Sequence, residues 1–411
     1  MVSGRTAIPP ENPMPQRPHL PVPYHSIGIS QIVAYGLLFY VFAQLKTPLA
    51  EAIGTTESNI LAAISGSLVL QGLLAPVIGG WVDRFGALPV MTLGLVIGAL
   101  GMFMLPLIPA IEWVWFCMVP IGLAFAMSTY EVAFSAAVQL DEVRARRNIS
   151  YITFYGGVAS SITWLSIAPL LTMLGLKATC SVIAVVMLIM AARFFLLSRR
   201  IRIRGSGEKE AMAPFSWSGM TREEKQAIIL LALTSTLEYL VFASTTLLWI
   251  NWFSIQFGAG LAVVLASIYG PFQVVGRIME MWYGQRFDAR LTALVAFTFV
   301  PTAIVLAQSP SLPVVVVAMM LFGIGHGVLT VSFGYVTNMY FRAEVYGRAK
   351  GWISTPRGLG NAIGPSIGGA LFLLGTDIFF AVMVAVSIAG GITFAFLLRL
   401  KPGNLIPAEQ R

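Results

Sequence analysis

About twelve apolar runs, each close to twenty residues or longer, occupy this chain of 411 residues almost end to end. They lie near 27–50, 60–81, 88–109, 113–139, 149–173, 178–197, 226–255, 261–285, 290–308, 313–338, 348–374 and 377–399. A helix needs ~20 apolar residues to cross the hydrocarbon core of a bilayer. Backbone inside lipid must satisfy its own polar groups, so runs of this length are helices. They are continuous rather than alternating, which excludes a membrane β-barrel. Composition removes a soluble alternative: 57% of residues are hydrophobic and 11% charged, where soluble domains carry ~25% charged residues. The expected fold class is an all-α membrane protein with about twelve transmembrane helices, its first partner the lipid bilayer.

The net charge of +8 invites a nucleic-acid reading, but the positions of the charges oppose it. Basic residues fall in alternate loops: Arg84; Arg144, Arg146 and Arg147; Arg199, Arg200, Arg202 and Arg204; Arg286 and Arg290; Arg342, Arg348 and Lys350; Arg399 and Lys401. The opposite loops hold little beyond Lys46 and Lys177. This asymmetry predicts that the basic loops and both termini are cytoplasmic, with anionic lipid beside them. No nucleic-acid partner is expected.

Residues 1–26 carry seven prolines between Pro9 and Pro23 and no signal-type apolar core. They read as a disordered, Pro-rich cytoplasmic tail. Residues 198–225 are basic, then Gly/Ser-containing at Gly205-Ser206-Gly207, then mixed in charge. They read as a cytoplasmic linker between halves at 27–197 and 226–399, followed by a short cytoplasmic tail at 400–411. Neither soluble piece is long enough for a catalytic domain. Cys117 and Cys180 make no metal site and are expected as small core residues. No cofactor and no metal are expected.

The turn between the second and third runs reads Gly79-Gly80-Trp81-Val82-Asp83-Arg84-Phe85-Gly86. Gln71 and Arg84-Phe85 recur about 202 residues later as Gln273 and Arg286-Phe287, again ending an apolar run. Internal duplication is a mark of transporters built from two related halves. The Gly-x-x-x-Asp-Arg-x-Gly turn resembles the cytoplasmic signature loop of the major facilitator superfamily of secondary transporters. That resemblance implies two pseudo-symmetric six-helix halves, a monomer, and a conformational gate at Gly79, Asp83, Arg84 and Gly86. It also implies that Asp83 meets the start of the eleventh helix near Lys350 and Gly351. The sequence departs from the signature in following Gly86 with Ala87 and Leu88 rather than basic residues.

Charges inside the runs are few. Those expected to be buried are Glu131, Glu238, Arg277, Glu280 and Arg357 on the fourth, seventh, eighth and eleventh runs, with His326 on the tenth. The third, ninth and twelfth runs carry almost none, and the sixth only Arg193 near its end, where snorkelling explains it. The resembled fold places the third, sixth, ninth and twelfth helices at the periphery, so the charges fall on helices bordering a central cavity. Glu238 lies roughly 18 Å along its helix and Arg277 about 13 Å from the end of its own. Charges at such depth are costly and mark function. Each also has a structural alternative. Arg277 and Glu280, three residues apart, are placed for an ion pair. Arg357 is placed to pair with Glu131 or Glu238, and Glu131 to bond a tyrosine. His326, flanked by Gly325 and Gly327, serves either packing or proton handling, since imidazole titrates near neutral pH in water. The glycines Gly360, Gly364, Gly368 and Gly369 read as a helix-packing stripe. The same string resembles the superfamily's antiporter motif, displaced here from the fifth helix to the eleventh.

Proton-coupled drug exporters of this superfamily carry an Arg on helix four, four residues before a Gly. Here Met118 stands at that spacing from Gly122. A cation on helix eight and another on helix eleven instead resemble the monocarboxylate and oxalate transporter branch, and Arg277 and Arg357 are the matching positions. Gln273 replaces the carboxylate often found one turn before the helix-eight Arg. Ser128-Thr129-Tyr130-Glu131-Val132-Ala133-Phe134 resembles a group of bacterial relatives, which implies a bacterial inner membrane. The function expected is proton-coupled symport of a small organic anion by alternating access. Arg277, Arg357, Gln273 and Tyr130 would bind substrate, and Glu131, Glu238, His326 and Glu280 would couple protons. Two alternatives stand beside it: efflux of a toxic small compound or metalloid, and a non-transporting receptor on the same fold. No Ser/His/Asp set, His cluster or phosphate loop suggests an enzyme.

Overall fold

The computed structural model describes residues 23–140, 145–200, 217–341 and 343–401. Most of the expected N-terminal tail, the middle of the linker and the C-terminal tail therefore lie outside the described residues. So do Arg144 and Arg342, and the side chains of Asp83, Arg146, Arg147, Arg348 and Lys350. The expected contact of Asp83 with the eleventh helix falls there too.

Ten stretches of helix among the described residues are long and apolar enough to cross a membrane. One of them, Tyr151–Arg200, is broken at Gly175 (φ 72°, ψ 177°) and makes two crossings. Only glycine takes that backbone conformation without strain. With Ala343–Leu374 the total is twelve. In chain order, α1 is Tyr24–Ile53, α2 Glu57–Phe85 and α3 Ala87–Met104. Helix α4 is Ile111–Ser128 resumed at Tyr130–Leu140, α5 is Ala145–Gly157 resumed at 159–174, and α6 is 176–200. Helix α7 is Arg222–Thr246 resumed at Trp249–Phe257, and α8 is Ala259–Ser267 resumed at Tyr269–Trp282. Helices α9, α10, α11 and α12 are Ala289–Leu306, Leu312–Tyr340, Ala343–Leu374 and Thr376–Ala395. Every expected span falls on a helix, with ends shifted by about a turn.

The helices pack as two sets of six, α1–α6 and α7–α12, joined along α2 against α11 and α5 against α8. Large apolar side chains on α3 (Leu100, Phe103), α6 (Ile189, Phe195), α9 (Val295, Val305) and α12 (Ile388, Ile392) are exposed, which suits the lipid-facing positions expected of them. The glycine stripe of α11 permits close approach to α7: a Cβ at Gly360, Gly364 or Gly368 would collide with Thr236, Ala243 or Ser244. The Ser244 hydroxyl donates to the Gly364 carbonyl at 2.8 Å across that contact.

The two ends of the bundle differ. At the end carrying Lys46, α2 and α11 touch: the Ser366 N–H donates to the Ser65 hydroxyl at 3.0 Å, and Leu61 lies against Gly369. Toward the 79–86 end the same helices part. Gly72, Gly79 and Gly80 on α2 and Gly358 on α11 face open space, and Leu73 is exposed. The turn itself is tight. Gly86 has φ 87°, a left-handed value that favours glycine, and Gln139 of α4 clamps it. Its side chain accepts from the Ala87 N–H at 2.9 Å and donates to the Val82 carbonyl at 3.2 Å.

Candidate functional site

Several inner helices are interrupted, and the interruptions organise the site. A break frees backbone carbonyls and N–H groups, which cost several kcal/mol if left unpaired away from water. Thr129 is extended (φ −90°, ψ −172°) between the two pieces of α4. The Ser128 carbonyl beside it accepts from Gln31 of α1 at 3.1 Å. At the interruption of α8, the Ser267 carbonyl accepts from Ser161 of α5 at 2.5 Å. Polar side chains of one half thus fill the backbone of the same half or of the other.

Arg277 follows this rule. It lies on α8, 4% exposed, and its Nη1 donates to the Thr153 carbonyl of α5, in the opposite half. Its guanidinium is also within reach of the Tyr130 hydroxyl. The Nε has no hydrogen-bond partner, and no carboxylate among the described residues comes within 4.0 Å. The expected Arg277–Glu280 pair does not form. Glu280 points instead to the hydroxyls of Thr292 (2.9 Å) and Ser332 (3.1 Å) on α9 and α10. Two neutral donors satisfy it inside its own half, so it turns away from the arginine. Gln273, one turn from Arg277, donates to the Tyr269 hydroxyl at 2.8 Å. Gly157 of α5 makes room for both, because a side chain there would meet Val274 and approach Arg277 and Gln273.

Glu238 does not hold a guanidinium either. Its carboxylate lies 2.6 Å from Nδ1 of His326, with both side chains about 5% exposed. His326 is therefore not across a cavity from Glu238; the two join α7 to α10 within one half. The Phe242 ring stacks on the imidazole at 4.2 Å between centroids, so the pair is shielded from bulk water.

Arg357 behaves differently. It lies over the Tyr239 ring, 4.9 Å from the centroid. Its Nη2 is 4.0 Å from Glu131 of α4, an ion pair between the halves that is too long for a hydrogen bond. Of the two partners proposed from sequence for Arg357, Glu131 is the one beside it. Glu131 is not buried, as its depth in the sequence suggested: its side chain is 73% exposed. A carboxylate so exposed on an inner helix places water-accessible space between the halves, open toward the 79–86 end. The neighbours Tyr130 and Glu131 on α4 thus face two different arginines of the other half.

Lys46 was read as a loop residue and is instead fully buried. Its ammonium donates to the carbonyls of Ala43 (2.8 Å) and Leu247 (2.9 Å) and to Oδ1 of Asn251 (2.7 Å). Leu247 lies in the interruption of α7, so a lysine of one half caps the broken helix of the other. Glu57 at the start of α2 completes the cluster, 4.0 Å from Lys46 and accepting from Asn251 at 2.8 Å and Thr47 at 2.5 Å. The signal available in the sequence was a lysine inside an apolar run, two residues before Pro48. Asn251 and the α1 aromatics Tyr35 and Phe39 carried no signal beyond ordinary helix composition. Cys117 and Cys180 are free and buried. No His, Cys, Asp or Glu cluster suited to a metal occurs among the described residues.

Comparison with known proteins follows the geometry. A family model described as Major Facilitator Superfamily matches residues 27–300 and 265–410. No curated protein matches the sequence significantly. Among solved structures, a bacterial homologue of the human lysosomal transporter Spinster, in an inward-facing and occupied conformation, superposes with a TM-score of 0.68. It is 13% identical, covering 92% of this chain and 96% of that one. A variant of the nucleoside transporter NupG superposes with a TM-score of 0.70 at 13% identity, covering 91% and 99%. At such identity the likeness concerns the fold.

Proposed function

Because this chain belongs to the major facilitator superfamily of membrane transporters, we propose that it carries a small organic anion across the bacterial cytoplasmic membrane, coupled to protons, by alternating access. The observation that carries this reading is Arg277: a buried cation at the junction of the halves with an unpartnered Nε and, among the described residues, no carboxylate within 4.0 Å. Leaving a charge buried without a counter-ion is strongly unfavourable. An anionic substrate would supply the missing partner, and the planar fork of arginine suits a carboxylate. Arg357, with Glu131 at 4.0 Å rather than in hydrogen-bond contact, retains N–H donors for the same ligand. Gln273 and Tyr130 flank the site.

Proton coupling is assigned to Glu238 and His326, a carboxylate and an imidazole 2.6 Å apart. A change of charge in this shielded site alters what the neighbouring anion site tolerates. Glu131 serves as an exchangeable partner of Arg357, and Glu280 holds α8 to α9 and α10. The alternate basic loops support placing the 79–86 end in the cytoplasm. The open space then faces inward, as in the inward-facing Spinster homologue, and the Lys46 end is closed. Gly79, Asp83, Arg84 and Gly86 serve as the gate that changes when the halves rock, and the protein acts as a monomer.

Substrate counterflow in proteoliposomes tests this. Arg277→Lys, which keeps the charge and loses the fork, is expected to weaken anion affinity at least tenfold while the purified protein keeps its monodisperse profile. Wild-type affinity in Arg277→Lys would overturn the carboxylate reading and leave efflux of a neutral or cationic compound as the better one.

A further inference from the structure

The space that exposes Glu131 is walled by aromatic rings. From the N-terminal half, Tyr35 of α1 and Tyr130 of α4 pack at 4.7 Å between centroids, and Phe134 stacks on Tyr130 at 5.0 Å and 18°. From the other half, Tyr239 of α7 carries the Arg357 guanidinium on its face. All four rings are half-buried. One helical turn deeper, Phe39 and Phe242 meet across the halves at 6.3 Å, and Phe125 lies against Phe39 at 6.2 Å. These three are buried and close the floor. The wall rests on this floor, with Tyr35 against Phe125 at 5.4 Å and Tyr239 against Phe242 at 6.1 Å between centroids.

Half-buried rings on opposing walls offer π-faces that a saturated chain does not use, and ring pairs gain beyond the area they bury. Arg357 rests on the face of Tyr239, and at 4.0 Å from Glu131 it is too far for a hydrogen bond, so its N–H groups are open to a carboxylate. Arg277 reaches the Tyr130 hydroxyl of the same wall. We propose that the anion is an aryl carboxylate: one planar ring between Tyr35, Tyr130 and Tyr239, its carboxylate shared by Arg357, where it replaces Glu131, and Arg277. This rests on the anion reading and narrows it.

Binding of radiolabelled benzoate to the purified full chain in detergent tests both layers, without the membrane leakage of a protonated weak acid. The competitors are cyclohexanecarboxylate, which has the same carbon count and charge without the π-face; butyrate, which is short and aliphatic; and benzamide, which has the ring without the charge. The expected order is benzoate first, cyclohexanecarboxylate about tenfold weaker, and butyrate weaker still, with no competition by benzamide. Tyr239→Leu should erase the preference for benzoate over cyclohexanecarboxylate, and Tyr239→Phe should keep it. Equal affinity for benzoate and cyclohexanecarboxylate in the wild-type protein overturns the aryl proposal and leaves the anion reading standing. So does binding of butyrate with none of benzoate. Competition by benzamide as strong as by benzoate overturns the anion reading itself.

Discussion

His326 and Glu238 are the residues whose chemistry the fold defines most narrowly. A 2.6 Å contact between two side chains about 5% exposed, under a stacked phenylalanine, shields the pair from bulk water. Glu238→Gln keeps the size of the side chain and a donor or acceptor for the imidazole, but removes the carboxylate as a proton acceptor. It is expected to abolish pH-driven accumulation in proteoliposomes, leaving exchange of substrate for substrate within about twofold of wild type. Unchanged pH dependence would place coupling elsewhere, with the exposed Glu131 as the next carboxylate to test. Sequence depth identified Glu238, Arg277 and His326 as inner residues because charges inside apolar runs are rare and costly. It did not identify their partners. Arg277 and Glu280 share a helix and suit an i,i+3 pair, yet each bonds groups more than ten residues away: Thr153 for the arginine, and Thr292 and Ser332 for the glutamate. Local spacing states which side chains share a helix face. It does not state which distant hydroxyl or carbonyl competes for them.

At the scale of the element, helix existence was legible and helix continuity was not. Runs of twenty apolar residues leave no alternative to helix in lipid, and the spans fall where they were expected. The interruptions at Thr129 and Leu247–Leu248 carry no proline or glycine nearby, whereas at Ile268 the following Pro271 lacks the N–H that would bond the Ser267 carbonyl. Distant side chains stabilise them: Gln31 reaches the Ser128 carbonyl, and Lys46 the Leu247 carbonyl. Lys46 thus ties α1 to α7 by bonding backbone that a continuous helix would have used. Lys46→Met retains the length of the stem and removes all three donated bonds. Leaving carbonyls unsatisfied costs ~1–3 kcal/mol each where water is absent, although opening this end to water would relieve the loss. The expected result is a shift of the population toward a form open at the Lys46 end, read as several-fold faster labelling of a cysteine introduced at Ser65. The thermal midpoint should fall by a few degrees. A stable protein with wild-type labelling would show that the Lys46 cluster has no part in closing that end.

For the whole molecule, the asymmetry of the two ends makes one arrangement of a two-state device visible. One end is held by Lys46 with Leu247, Asn251 and Glu57, and by Ser65 with Ser366. Toward the other, Gly358 on α11 meets no neighbouring atom and Glu131 is three-quarters exposed. A transporter working by alternating access must exchange these conditions, so accessibility at the two ends should vary in opposite directions. Cys117 and Cys180 are both buried, which keeps background labelling low and allows single cysteines to be added to the natural chain. Gly358→Cys is expected to react rapidly in inside-out vesicles. Saturating substrate that promotes closure should slow it several-fold, while Ser65→Cys gains reactivity from the opposite face. Gly219→Cys, at the end of the linker before α7, supplies the sidedness: an impermeant maleimide should label it in inside-out vesicles and leave it untouched in intact cells. Labelling of Gly219→Cys in intact cells would invert the orientation read from the basic loops. Parallel rather than opposite changes at Gly358→Cys and Ser65→Cys would argue against rocking of the halves, and would favour a receptor that binds its ligand without carrying it across.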